Sequence, residues 1–156
     1  MRKIETFLNQ YGESHQNPTN KLVHWICVPL IFFSIVGFLW EIKTPVHLSF
    51  LNEEPLNGGM VALLLVFIYY LTLSLPIAAG MLLFSVLCLA GHYFIAQSAW
   101  PVWLVSISIF VLAWVGQFIG HHIEGKKPSF FKDLQFLMIG PAWLMSFIFR
   151  KLGIRI

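Results

Sequence analysis

Long apolar runs, broken at a few polar and proline-bearing points, set the outline of the chain. The first patterned stretch is residues 3–15, where Ile4, Phe7, Leu8 and Tyr11 recur at helical spacing and Lys3, Glu5, Asn9 and Gln10 lie elsewhere around the axis. This predicts a short helix suited to a membrane interface. Asn17 followed by Pro18 predicts an N-cap and the first position of a new helix. A first apolar span covers residues 22–40, with His24 near its start and Pro29 inside it. The loop 41–58 carries Glu41, Glu53 and Glu54 against Lys43.

The apolar run 60–96 is too long for one crossing and suits two of about 20 residues each. A turn is expected at Ser74, Leu75, Pro76 and Ile77, since a proline disfavours a helical residue before it. A second turn falls at 97–101, and a fourth span covers 102–120. After a loop at 121–132, Asp133 is placed to cap a helix over 134–149. That segment is short for a crossing and carries Gly140 and Pro141 in its middle. The expected fold is all-α: an integral membrane bundle of four transmembrane helices, with an N-terminal interfacial helix and a C-terminal half-inserted or interfacial helix. Residues 1–156 form a single membrane-embedded domain in this reading.

Composition sharpens the picture. The chain is 58% apolar and 11% charged, against roughly 25% charged in soluble domains. Between Glu54 and Glu124 there is no Asp, Glu, Lys or Arg at all. The first 21 residues are polar, and no small-residue cleavage pattern follows the first apolar run, so a cleavable signal peptide is not expected. Cys27 and Cys88 lie inside apolar runs and read as small buried hydrophobes. Aromatic and basic residues do not interleave as in a nucleic-acid groove, so no nucleic-acid partner is expected. With four spans, Arg2, Lys3, Lys21, Lys126, Lys127, Lys132, Arg150, Lys151 and Arg155 share one side and Lys43 faces the other. The positive-inside rule then puts both termini in the cytoplasm. The membrane is a bacterial inner membrane, or the endoplasmic reticulum in a eukaryote.

That topology sorts the histidines. His15, His24, His121 and His122 fall at the cytoplasmic ends of their segments, whereas His47 and His92 fall toward the far side and read as structural. On a helix, Trp114, Gln117, His121 and Glu124 share one face. Gly116 and Gly120 form a Gly-x-x-x-Gly pair beside it, a spacing that lets a second helix approach closely in a membrane. Neutral imidazoles bind iron, zinc, copper or nickel, and a carboxylate can complete the sphere. His15, His24, His121, His122 and Glu124 are therefore the candidate metal ligands. Their bland alternatives are interface anchoring and capping of backbone carbonyls. Tyr11, Glu13, Asn20, Gln117 and Trp114 are candidates for supporting contacts or plain packing.

Two blocks carry a family resemblance. One is Tyr11, His15, Asn17, Asn20, His24 and Pro29; the other is Gln117, Phe118, Gly120, His121, Glu124 and Pro128. With the four-span pattern between them, the chain resembles the small membrane proteins related to the fungal 2-hydroxy fatty acid dioxygenase of phytosphingosine breakdown. The resemblance implies an iron(II), Fe(2+), dependent oxygenase. It would cleave a long-chain 2-hydroxy fatty acid between C1 and C2, consuming dioxygen and giving the acid one carbon shorter. It carries His15, His24 and His121 over as iron ligands. Glu124 or His122 then serves as a further ligand or proton carrier, and His15, His24, His121 and Glu124 form the catalytic set. The expected partners are the acid, dioxygen and the lipid bilayer, and a homo-oligomer stays open. Three other readings compete: a zinc-dependent lipid hydrolase, a non-enzymatic lipid-binding scaffold, and a small metal or proton carrier. The carrier ranks last, because the uncharged run offers only His92 along the bundle axis.

Overall fold

The computed structural model describes residues 3–13, 15–48, 54–125 and 137–156. Among them are six helices and one hairpin: α1 (Lys3–Glu13), α2 (Pro18–Trp40), β1 (Lys43–Leu48), β2 (Glu54–Asn57), α3 (Gly58–Leu71), α4 (Leu75–Ala96), α5 (Val102–Glu124) and α6 (Ile139–Lys151). The local rules that start these helices are visible in the side chains. Asn17 Oδ1 accepts from the Thr19 and Asn20 amides at 2.9 and 3.3 Å, with Pro18 at the first helical position of α2. Asn57 does the same for α3, accepting from the Met60 amide at 3.1 Å. Proline opens α4 within its first two positions. Gly125 ends α5 with φ +72°, a left-handed conformation that costs glycine little.

Three helices, α2, α4 and α5, are long and apolar enough to cross a membrane. They fit a membrane protein. The expected second span is shorter than four full crossings require: α3 has 14 residues, about 21 Å at 1.5 Å per residue, against a hydrocarbon core of about 30 Å. It starts at Gly58 on the Asn57 cap, and the turn through Leu73 and Ser74 ends it. The loop expected at 41–58 contains that hairpin, whose strands pair antiparallel with Lys43 opposite Asn57 and His47 opposite Pro55. Helix α5 runs to Glu124, one turn past its expected end. Asp133 and the expected helix start at 134 lie outside the described residues. α6 begins at Ile139, so Gly140 and Pro141 sit in its first turn, where a proline's missing N–H is harmless.

Consecutive long elements alternate in direction. Gly58 approaches the Leu39 carbonyl at the end of α2, while Tyr70, near the end of α3, donates from its hydroxyl to the Met138 carbonyl before α6. Gly80 of α4 faces Met145 and Phe149 of α6. α1 buries Ile4, Leu8 and Tyr11, and the Tyr11 ring lies 5.2 Å from the Trp143 ring of α6. α1, α6, the start of α2 and the end of α5 therefore gather at one end of the bundle.

α2 and α5 pack closely along three glycines: Gly37 of α2, where a Cβ would run into Ser106 Oγ, and Gly116 and Gly120 of α5. A Cβ at Gly116 would stand 2.6 Å from Cys27 Sγ, and one at Gly120 2.5 Å from Asn20 Oδ1. This is the close approach expected of the Gly-x-x-x-Gly pair. Gly116→Ala should overpack the crossing by about 1–3 kcal/mol and lower the melting temperature in detergent by several degrees. An unchanged melting temperature would show that the helices separate at no cost.

Candidate metal centre

The site is assembled from three segments that are far apart in sequence. His15 sits in the link between α1 and α2, His24 lies two turns into α2, and His121 lies near the end of α5. Their ring centroids are 4.2 Å apart for His15 and His24, 5.2 Å for His24 and His121, and 5.6 Å for His15 and His121. One ring nitrogen from each falls within 4.8 Å of the others, and all three side chains are buried. The short N-capped start of α2 makes this possible. It reverses the chain within a few residues of α1, so His15 and His24 return to one another.

Hydrogen bonding fixes two of the tautomers. His15 Nδ1 bonds the Tyr11 carbonyl at 2.7 Å, and His24 Nδ1 bonds the Asn20 carbonyl at 2.9 Å. A carbonyl only accepts, so both Nδ1 atoms carry the proton. The neutral rings then present bare Nε2 lone pairs, and these two Nε2 atoms face each other at 2.8 Å. Two lone pairs at that distance repel unless a proton or a metal cation lies between them. Backbone carbonyls that hold Nδ1–H while Nε2 points inward are also the usual support for metal-bound histidine. The donor set therefore fits a metal ion held by neutral imidazoles.

The surroundings reinforce the rings' positions. Tyr11 stacks on His15 with centroids 4.3 Å apart and planes 8° apart, and Trp143 stands 5.4 Å from the same ring. Gln117 and Trp114 are buried one and two turns before His121, so the stripe read from the sequence does face inward.

The other candidates stand apart from the trio. His122 is exposed. His92 is buried near the end of α4, stacked 4.0 Å from Phe33, with Trp40 at 5.8 Å. Trp40 is 16 residues beyond His24 on α2, about 24 Å along the axis. His47 lies on the hairpin at that far end.

Glu124 is half-buried beside the His15 link, and both of its oxygens are engaged by N–H donors. Its Oε1 accepts from the Gln16 amide at 2.9 Å. Its Oε2 accepts from the Asn17 amide and from Asn20 Nδ2, both at 2.9 Å. One carboxylate thus ties the end of α5 to the residues that follow His15 and precede His24. Sequence reasoning missed this latch, because the partners lie 104 to 108 positions away. The Trp143 contact was missed for the same reason. The Tyr11–His15 contact did leave a signal, the four-residue spacing on one helical face.

Comparisons with known proteins agree with the motif blocks. A family model described as 2-hydroxy-palmitic acid dioxygenase Mpo1-like matches residues 1–152. The chain is 30% identical over 152 residues to the 2-hydroxy-palmitic acid dioxygenase MPO1 of Saccharomyces cerevisiae, covering 96% of this chain and 82% of the yeast protein. No solved structure matches. The match runs through both blocks, from Tyr11 to Pro29 and from Gln117 to Pro128, and the chain belongs to the Mpo1-like family.

Proposed function

We propose that this protein is an iron(II)-dependent dioxygenase that cleaves long-chain 2-hydroxy fatty acids between C1 and C2, releasing the acid one carbon shorter. The observation that carries the reading is the pair of bare Nε2 atoms of His15 and His24 facing one another at 2.8 Å, with His121 beside them. Family membership and the yeast relative's activity give the substrate class and the chemistry. Iron(II) bound there would supply redox chemistry toward dioxygen, and three protein ligands leave positions for a substrate that chelates through its hydroxyl and carboxylate.

The chain's own residues do the rest. The Tyr11 and Asn20 carbonyls hold the His15 and His24 rings in the ligating tautomer. Tyr11 and Trp143 pack against the His15 ring and hold it in place. The acyl chain runs toward lipid beside the apolar helices, whose outer faces expose residues such as Phe118 and Ile119. In this reading both termini face the cytoplasm, and α1 and α6 lie at that interface.

The test is metal content by mass spectrometry on anaerobically purified protein in detergent, followed by oxygen uptake with 2-hydroxypalmitate. About one iron per chain is expected, with oxygen uptake abolished by a chelator and restored by iron(II) but not by zinc(II). Zinc as the resident metal, with lipid hydrolysis and no oxygen uptake, would overturn the dioxygenase in favour of a hydrolase.

A further inference from the structure

A cleft of about 250 Å³ opens beside the histidine trio, between the end of α1, the first turn of α2 and α6. His15 forms part of its lining, so the cleft reaches a member of the trio. Lys21 and Arg150 also line it, against one carboxylate, Glu13. Trp143 and Phe147 supply an apolar wall. Two cations and two aromatic rings around one opening, with a candidate metal ligand at its edge, describe a receptor for a small amphiphilic anion.

Volume narrows the occupant. A cleft of about 250 Å³ has room for a small polar head. That suits the head of a hydroxy acid, with its acyl chain leading out of the opening. The chain has an exit at the aromatic rim: Phe147 is 38% exposed and its ring lies 6.2 Å from that of Trp25, itself 39% exposed. Arginine's planar fork matches a carboxylate bidentately, and lysine adds a point charge.

We propose that this cleft receives the carboxylate head of the long-chain acid, with Arg150 and Lys21 as its recognition residues. It rests on the dioxygenase reading for the identity of the acid, and the cations' role is to bind and deliver that head to the edge of the trio. Lysines and arginines at helix ends also meet lipid phosphate. The same cations would then serve membrane docking, a source that the test separates.

The experiment compares wild type with the Lys21→Gln/Arg150→Gln double variant, both loaded with iron, in an uncharged detergent. The KM for 2-hydroxypalmitate should rise about tenfold, with kcat changed by less than about twofold and iron content unaltered. Binding is measured separately with radiolabelled palmitate and hexadecanol, which differ in the charge of the head. Wild type should prefer palmitate, and the double variant should lose that preference. An unchanged KM together with an unchanged preference would overturn the proposal while leaving the dioxygenase intact. A defect that appears only in anionic-lipid vesicles, and not in detergent, would also overturn it, assigning the cations to the headgroups. If wild type holds no iron and consumes no oxygen, the dioxygenase falls. The palmitate preference then still decides the cleft.

Discussion

His121→Ala is expected to abolish iron retention and oxygen uptake while the protein still folds and inserts. The magnitude follows from the geometry. His121 is the single contribution of α5 to the trio. Without it, two ligands on one short stretch of chain remain, the 2.8 Å pair of His15 and His24. Losing a mere supporting contact to a metal ligand already lowers affinity or activity by about 10–100-fold. Losing a ligand from a set of three should leave activity below about 1% of wild type. His121 is 5% exposed, so the truncation leaves a small buried gap rather than an unpaired charge. Circular dichroism and elution in detergent should match wild type. His122→Ala is the contrast, since that side chain is exposed and stands apart from the trio; it should keep iron and turnover. Wild-type activity in His121→Ala would remove the trio from the mechanism. Equal loss in His122→Ala would mean that the last turn of α5 matters as a whole, not for one ligand.

The helices were legible because their signals are local. Asn17 with Pro18 marks the start of α2, and the 3.6-residue repeat of Ile4, Leu8 and Tyr11 marks the face α1 buries. Gly116 and Gly120 announced a close crossing, and their partners proved to be Cys27, Val23 and Asn20. The same local logic failed for the hairpin, where Lys43–Leu48 and Glu54–Asn57 are too short to show a strand period. The turn expected at Ser74 divides the run 60–96 unequally, leaving α3 with 14 residues and α4 with 22. For the site, residue type drew attention to the histidines, and three of them, His15, His24 and His121, converge. What the sequence could not distribute was roles. His122 and Glu124 have the chemistry of ligands, and only the turn of α5 and the path of the His15 link decide where each one points. His92, read from its place in the chain as structural, is stacked on Phe33 at the other end of the bundle.

Glu124→Ala is expected to weaken iron retention and lower turnover by about 10–100-fold, the range for groups that orient metal ligands. The carboxylate takes three N–H donors at 2.9 Å, from Gln16, Asn17 and Asn20. A hydrogen bond to a charged group contributes about 1.5–3 kcal/mol when shielded, and less at a half-exposed position such as this one. Losing all three releases the His15 link from α5 and frees Asn20, whose carbonyl holds His24 Nδ1. The defect should therefore lie in assembling the trio and not in the chemical step. That distinction is measurable. If Glu124 positions ligands, saturating iron(II) should restore Glu124→Ala to near wild-type turnover, because added metal re-forms the ordered arrangement by mass action. Glu124→Gln, which keeps one accepting oxygen but turns an amide toward the N–H donors, should fall between Ala and wild type in apparent iron affinity. If Glu124 instead binds the metal or carries a proton in turnover, excess iron(II) leaves both variants slow, and the latch is not the carboxylate's main role. The two cases separate on one titration of oxygen uptake against iron(II), since a latch moves the midpoint and a ligand or proton carrier lowers the plateau.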